Sequence, residues 1–145
     1  MDKSAAYLLV VLQFSAISWL IISAYPFNLN LIAFAFCSIS IILVAWSLWV
    51  MRVSKISILP MPHIDAELVT NGPYWLLRHP MYTAVLLFTA GLSIAHFDWY
   101  KVVIWFILLI VLIVKLHWEE SMLLKQFPQY QTYRLKSYKL VPFLY

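Results

Sequence analysis

Two stretches without a charged residue, 5–24 and 31–51, follow each other with only a short turn, Pro26 to Asn30, between them. At 1.5 Å of rise per residue each makes a helix of about 30 Å, the thickness of a bilayer's hydrocarbon core. A soluble chain of 145 residues has too much surface for its volume to hide such runs, and here 64% of residues are hydrophobic against 11% charged. Lipid is therefore the solvent for most of this protein. A cleaved leader needs a shorter apolar region ending in small residues. The first run is too long and a second span follows at once, so it reads as a retained helix.

Beyond Arg52 the character changes. Residues 52–78 carry Arg52, Lys55, His63, Asp65, Glu67 and Arg78 with Pro60, Pro62 and Pro73, which block regular helix. A third apolar segment covers 80–97 and a fourth 102–118, both short for a full span unless Lys101 and Lys115 snorkel or neighbouring protein shields them. Residues 119–145 form a mixed amphipathic tail broken at Pro128. The expected fold is all-α and multi-pass. It is one membrane domain over 1–145, with a helical hairpin at 1–51, a core at 52–145, four membrane helices and a helical tail. Nine of the ten Lys and Arg residues fall on one side of this arrangement and only Lys101 on the other. That asymmetry predicts that both termini, the 52–78 connection and the tail are cytoplasmic.

Several functions lack a sequence basis. The two glycines, Gly72 and Gly91, are too few and too far apart for a dinucleotide fingerprint or a P-loop. No His, Cys, Asp or Glu spacing matches a metal site, and no serine sits in a nucleophile elbow. The net charge of +4 resides at the ends of apolar segments, as topology signals, rather than on a nucleic-acid-binding face. The single cysteine, Cys37, lies inside an apolar run and reads as packing.

Two groups of residues carry chemistry. The first is Gly72-Pro73-Tyr74 followed by Arg78-His79-Pro80-Met81-Tyr82. Pro80 suits the first position of a helix, and a helix N-terminus flanked by Arg78 and His79 is an anion site. Tyr74 and Tyr82 offer hydroxyls or stacking faces. Taken singly, the arginine also reads as a positive-inside residue and the tyrosines as an interfacial belt. The second group is Glu119-Glu120 at the membrane edge, where carboxylates have a partner or a function. They suit ribose hydroxyls, an ammonium or an amino group. The alternative is a solvated tail face with pairing to Lys115 or Lys125. Complementary charge predicts that the tail folds back over 67–82.

Leu68-Val69-Thr70-Asn71-Gly72-Pro73-Tyr74, Arg78-His79-Pro80-Met81-Tyr82, then Glu119-Glu120 with Leu123, Phe127, Tyr130, Tyr133 and Pro142-Phe143, resembles the isoprenylcysteine carboxyl methyltransferase family. The phospholipid methyltransferases share the core pattern. The match covers roughly residues 58–145 with order and spacing kept. The resemblance implies a membrane enzyme that holds S-adenosylmethionine and methylates a lipophilic acceptor from the bilayer. It implies a cofactor pocket formed by Glu67, Leu68, Val69, Tyr74, Arg78, His79, Pro80, Met81, Tyr82, Glu119 and Glu120, with His79, Glu119 and Lys115 in catalytic roles. The family has arginine where this chain has Lys115, which keeps charge and loses the planar fork. It has glycine where this chain has Ala84. The short length resembles prokaryotic members, implying a bacterial inner membrane. Two other readings stand beside it: an NADPH-dependent membrane reductase of the sterol-reductase type, and a non-catalytic membrane scaffold.

Overall fold

The computed structural model describes residues 3–52 and 68–144. Four long helices dominate: α1 (Lys3–Ser23), α2 (Leu31–Met51), α3 (Pro80–Ala95) and α4 (Trp99–Gln126). A short 3₁₀ turn (Gly72–Trp75) precedes α3, and a single short helix, α5 (Tyr130–Arg134), follows α4. α1, α2 and α4 are long and apolar enough to cross a membrane, and α3 is a shorter apolar helix. Large apolar side chains such as Ile22, Leu31, Ile42 and Ile110 face outward from the bundle, as a lipid-solvated surface requires. The chain is an integral membrane protein.

The first two helices are not each other's main partners. α2 packs along α3, α1 packs along α4, and α3 also touches α1 and α4. The expected N-terminal hairpin is thus opened, because each helix finds a better-fitting face elsewhere. Gly91 lets α3 approach α2 closely: a Cβ there would stand 3.0 Å from the Ala33 carbonyl oxygen and from Cys37 Sγ. The Ser40 hydroxyl donates to the Ala84 carbonyl at 2.7 Å, tying the same two helices one to two turns away. Leu20 of α1, Leu86 of α3 and Leu108, Leu112 and Leu116 of α4 form the central core. Leu140 of the tail completes it. Cys37 is buried between Ala24 and Leu92, in the packing role its sequence context implied.

Neither Lys101 nor Lys115 snorkels. Both turn inward and are almost wholly buried. α3, at 16 residues, is about 24 Å long, short of a 30 Å core, so its last carbonyls would meet lipid. Lys101 Nζ donates to the His96 carbonyl at 2.8 Å and lies 3.3 Å from Asp98, supplying the cap that water cannot. The fourth helix also departs from expectation. It does not stop at 118 but continues through Glu119 and Glu120 to Gln126, so both carboxylates ride on the spanning helix itself. What remains of the helical tail is α5 and a strap of irregular chain.

Candidate functional site

Twenty residues separate Trp99 from Glu119. That is about 30 Å of helix, so α4 delivers Glu119 and Glu120 to the edge of the hydrocarbon. The start of α3 stands at the same level. Gly72 adopts a left-handed backbone (φ 59°), and a Cβ there would meet Val50 at 2.7 Å. Glycine is therefore required for the turn that presents Pro73 and Tyr74 to the end of α2. The Tyr74 hydroxyl donates to Met51 Sδ at 3.0 Å. Pro80 opens α3 at its first turn with His79 as the residue before it, where a missing N–H costs least.

The two adjacent glutamates have different tasks. Glu120 is buried and its Oε1 accepts from Arg78 Nε at 2.6 Å. The Tyr130 hydroxyl donates to the same oxygen at 3.3 Å. Arg78 Nη1 donates to the carbonyl oxygens of Ser137 and, at 3.1 Å, Arg134. Glu119 is partly open, with 28% of its side chain exposed. Its Oε2 accepts from the Tyr82 hydroxyl at 2.9 Å and lies 3.7 Å from His79 Nδ1. The His79 ring stacks on Tyr82, 5.4 Å between centroids and 5° from parallel. His79 Nε2 is buried, 3.6 Å from Glu120 Oε1, and makes no hydrogen bond among the described residues. A buried polar atom left so is unusual, and the acceptor facing it is the Glu120 carboxylate.

The tail folds back over this cluster, as charge complementarity predicted, but backbone does most of the joining. Arg78 N–H donates to the Tyr138 carbonyl at 2.7 Å, and His79 N–H to the Lys139 carbonyl at 3.1 Å. Tyr138 N–H returns to the Leu76 carbonyl at 2.9 Å. This short parallel pairing is pinned by the Thr83 hydroxyl, which donates to the Leu140 carbonyl at 2.7 Å. The Tyr133 hydroxyl closes the other flank on the Tyr74 carbonyl. Burial raises the Tyr74 and Tyr130 phenols and pushes Tyr133 up to about 12. All three therefore remain O–H donors at neutral pH.

Of the residues singled out by sequence, Tyr74, Arg78, His79, Pro80, Tyr82, Glu119 and Glu120 meet in this cluster. Met81 is half-buried on the first turn of α3, and Leu68 and Val69 are half-buried ahead of the turn. Glu67 lies outside the described residues. The anion site expected from Arg78 and His79 together is only partly open, because Arg78 Nε and Nη1 are taken by protein acceptors. Lys115 is buried one turn deeper than Glu119, 5.4 Å from the centre of the Tyr82 ring. Its Nζ donates to Gln13 Oε1 at 2.7 Å. Sequence reasoning missed Gln13, Ser137 and Leu140. Gln13 had a signal, as the one amide side chain in the first apolar run; Ser137 and Leu140 had none.

An apolar crevice of about 360 Å³ lies between α1 and α2 with α3 as its floor, lined by Ile17, Ile41, Val44, Leu48, Val85 and Phe88 among others. It occupies the gap left because α1 and α2 pack elsewhere.

Neither a curated protein nor a solved structure gives a significant match to this chain. The sequence does match the phospholipid methyltransferase family over residues 28–130, a stretch that holds α2, α3, α4 and Tyr74, Arg78, His79, Tyr82, Glu119 and Glu120, while the strap from Tyr133 onward lies beyond it. With most of its length matched and its signature residues gathered at one membrane edge, the chain belongs to the phospholipid methyltransferase family.

Proposed function

We propose that this protein is an S-adenosylmethionine-dependent methyltransferase acting on a lipophilic acceptor that arrives from the bilayer. The observation that carries the reading is a partly open Glu119 carboxylate beside His79 Nδ1 at the start of α3, roofed by the 138–140 strap. Basic and acidic groups side by side in one small site, His79 between Glu119 and Glu120, offer partners to a ligand that is both zwitterionic and cationic. His79 and the N-terminal end of α3 would receive the cofactor's carboxylate. Glu119 would hold its ribose or ammonium end. Tyr74 and Met81 would supply apolar and stacking surface for the base, with Leu68 and Val69 beside them and Glu67 preceding them in sequence. Arg78 and Glu120 would hold the walls in place rather than touch the ligand.

When bound, S-adenosylmethionine supplies a methyl group on a cationic sulfonium. The protein's part is then to align the acceptor and exclude water, which together lower the barrier without a nucleophilic side chain. An ionised oxygen acceptor needs no base. An amine acceptor must be neutral, and His79 or a glutamate would then be the candidate base. Lys115, beyond Tyr82, faces the acceptor side of the site. The hydrocarbon part of the acceptor would lie in the crevice between α1 and α2.

Calorimetry on detergent-purified protein tests this reading. S-adenosylhomocysteine should bind and NADPH should not, and His79→Ala should weaken binding roughly tenfold, the worth of one charge-assisted hydrogen bond. Binding of NADPH in preference would establish the reductase reading, and binding of neither would establish the scaffold. The proposal also puts both termini and the cluster on the cytoplasmic side, on the Lys and Arg asymmetry. Single cysteines at Asn28 and Lys136, in a Cys37→Ser background, should label from opposite sides; labelling from one side would refute that orientation.

A further inference from the structure

The strap that roofs the cluster also has an outer side. From Ser121 onward the chain carries four basic residues, Lys125, Arg134, Lys136 and Lys139, and no acidic one. Lys139 reaches back to Nε2 of His117 on α4 at 3.1 Å. The other three are exposed. Among the described residues, none of these three has a carboxylate within ion-pair distance; the ion pairs belong to Arg78, His79 and Lys101. Large apolar side chains stand in the open among them. Leu135 is 85% exposed, Phe143 82% and Leu144 84%, and Val141 is exposed beside them. Water is a poor solvent for such a patch, which marks it as a contact surface.

The position of the strap says what it contacts. Leu140 is buried in the leucine core of the bundle with Leu116 of α4, while its neighbour Val141 faces out at the same level. The strap therefore lies along the edge of the hydrocarbon. Phe143 has a left-handed backbone (φ 65°), rare for a bulky side chain. Leu144 N–H returns to the Val141 carbonyl at 3.3 Å, a turn that keeps Val141, Phe143 and Leu144 together on the outside. The Phe143 ring leans on Tyr138, 5.2 Å between centroids. Tyr138 is the residue whose backbone joins Arg78 and Leu76. At headgroup depth, apolar side chains enter the acyl boundary and cations beside them meet lipid phosphates.

We propose that the outer side of residues 134–144, with Lys125 at the end of α4, docks on the headgroups of anionic phospholipids around the protein, and that this docking holds the roof over the cofactor cluster. Exposed cations without an acidic neighbour, interleaved with apolar side chains at the hydrocarbon edge, match the charge and polarity of an anionic leaflet. These lipids act as a surface, and none of them is the methyl acceptor. The effect on the cofactor rests on the methyltransferase reading; the docking does not. A Lys or Arg near an anionic leaflet strengthens association about fivefold. Because one stretch of backbone carries both the patch and the roof, docking and cofactor binding favour each other by the same factor.

The test uses the full chain in nanodiscs of phosphatidylcholine alone or in equal parts with phosphatidylglycerol. A Leu144→Cys variant in a Cys37→Ser background carries an environment-sensitive dye. A nitroxide on the lipid chain near the headgroup should quench that dye more strongly in the anionic discs, and a water-soluble nitroxide less strongly. S-adenosylhomocysteine should bind about fivefold tighter in the anionic discs at low salt, with the difference lost at high salt. Lys125→Gln with Lys136→Gln should remove most of both differences while matching the wild type in neutral discs. Lys125→Arg with Lys136→Arg should retain them. Equal quenching of the dye in the two lipids would overturn the proposal. Shielding seen only in discs that hold two copies would give the patch to a second copy and overturn it as well. Charge-dependent quenching with one S-adenosylhomocysteine affinity in both lipids would overturn the coupling to the roof. Charge-dependent quenching in a protein that binds no S-adenosylhomocysteine in any disc would remove the methyltransferase reading and leave the docking surface standing.

Discussion

Deleting residues 136–145 is expected to abolish cofactor binding while leaving the helices of the bundle inserted. The deleted stretch supplies the Tyr138 and Lys139 carbonyls that accept from Arg78 and His79, and the Tyr138 N–H that returns to Leu76. It also supplies the Ser137 carbonyl that accepts from Arg78 Nη1. The three backbone bonds are worth about 0.5–1.5 kcal/mol each and the one from the Arg78 guanidinium about 1.5–3 kcal/mol. Leu140 fills the core at the polar end of the bundle, and removing such a side chain costs about 2–5 kcal/mol. Together these exceed what a site held by a few contacts retains, so His79 would lose its orientation. Calorimetry with S-adenosylhomocysteine should show a fall of more than a hundredfold, with helical circular dichroism little changed. Full affinity in the shortened protein would mean that the strap is an appendage and that the site is built by α3 and α4 alone. The single change Leu140→Ala should give an intermediate loss.

The two glutamates should separate cleanly on amide substitution. Glu120→Gln leaves the Arg78 guanidinium, 7% exposed at its side chain, without its charged partner. Breaking a buried pair from one side costs about 3–5 kcal/mol, so this variant should lose thermal stability in detergent and, with it, binding. Glu119→Gln should keep the fold, because its carboxylate is partly open and its neighbour Tyr82 can donate to an amide oxygen as well. Its effect should fall on cofactor affinity or turnover, because charge is removed at constant size. Thermal inactivation of both variants, set beside S-adenosylhomocysteine titrations, checks the pair. Equal stability losses in the two would contradict the division of labour between them.

Much of the architecture was legible before any coordinate. The uncharged runs at 5–24 and 31–51 match α1 and α2 to within two residues, since lipid leaves a backbone of that length no other way to satisfy its polar groups. Pro80 marked the start of α3, because proline is least costly where an N–H has no partner. The spacing of Arg78-His79-Pro80 and Glu119-Glu120 pointed to the family and to one shared site. Hydropathy misplaced the end of α4, since it registers the polarity of Glu119 as a boundary, whereas an α-helix continues past the lipid edge wherever neighbouring protein receives its side chains.

Other features depended on contacts distant in sequence. Which of two adjacent carboxylates takes Arg78 follows from the roughly 100° between successive side chains on α4, together with the depth at which α3 begins. Hydropathy assigns Lys101 and Lys115 to helix ends, where long cationic side chains reach for water. The inward turn of Lys101 answers the shortness of α3, and that of Lys115 answers an amide offered by α1. That α1 seeks α4 and α2 seeks α3, opening the crevice, depends on the fit of Gly91 against Ala33 and Cys37 and of Leu20 into the leucines of α4. Hydropathy and charge mark the apolar segments, of which three form helices long and apolar enough to cross a membrane, and the edge at which the chemistry gathers. The pairing of helices and the partner of each buried charge are properties of surfaces that exist only once the helices meet, because close packing and charge compensation act between residues far apart in the chain.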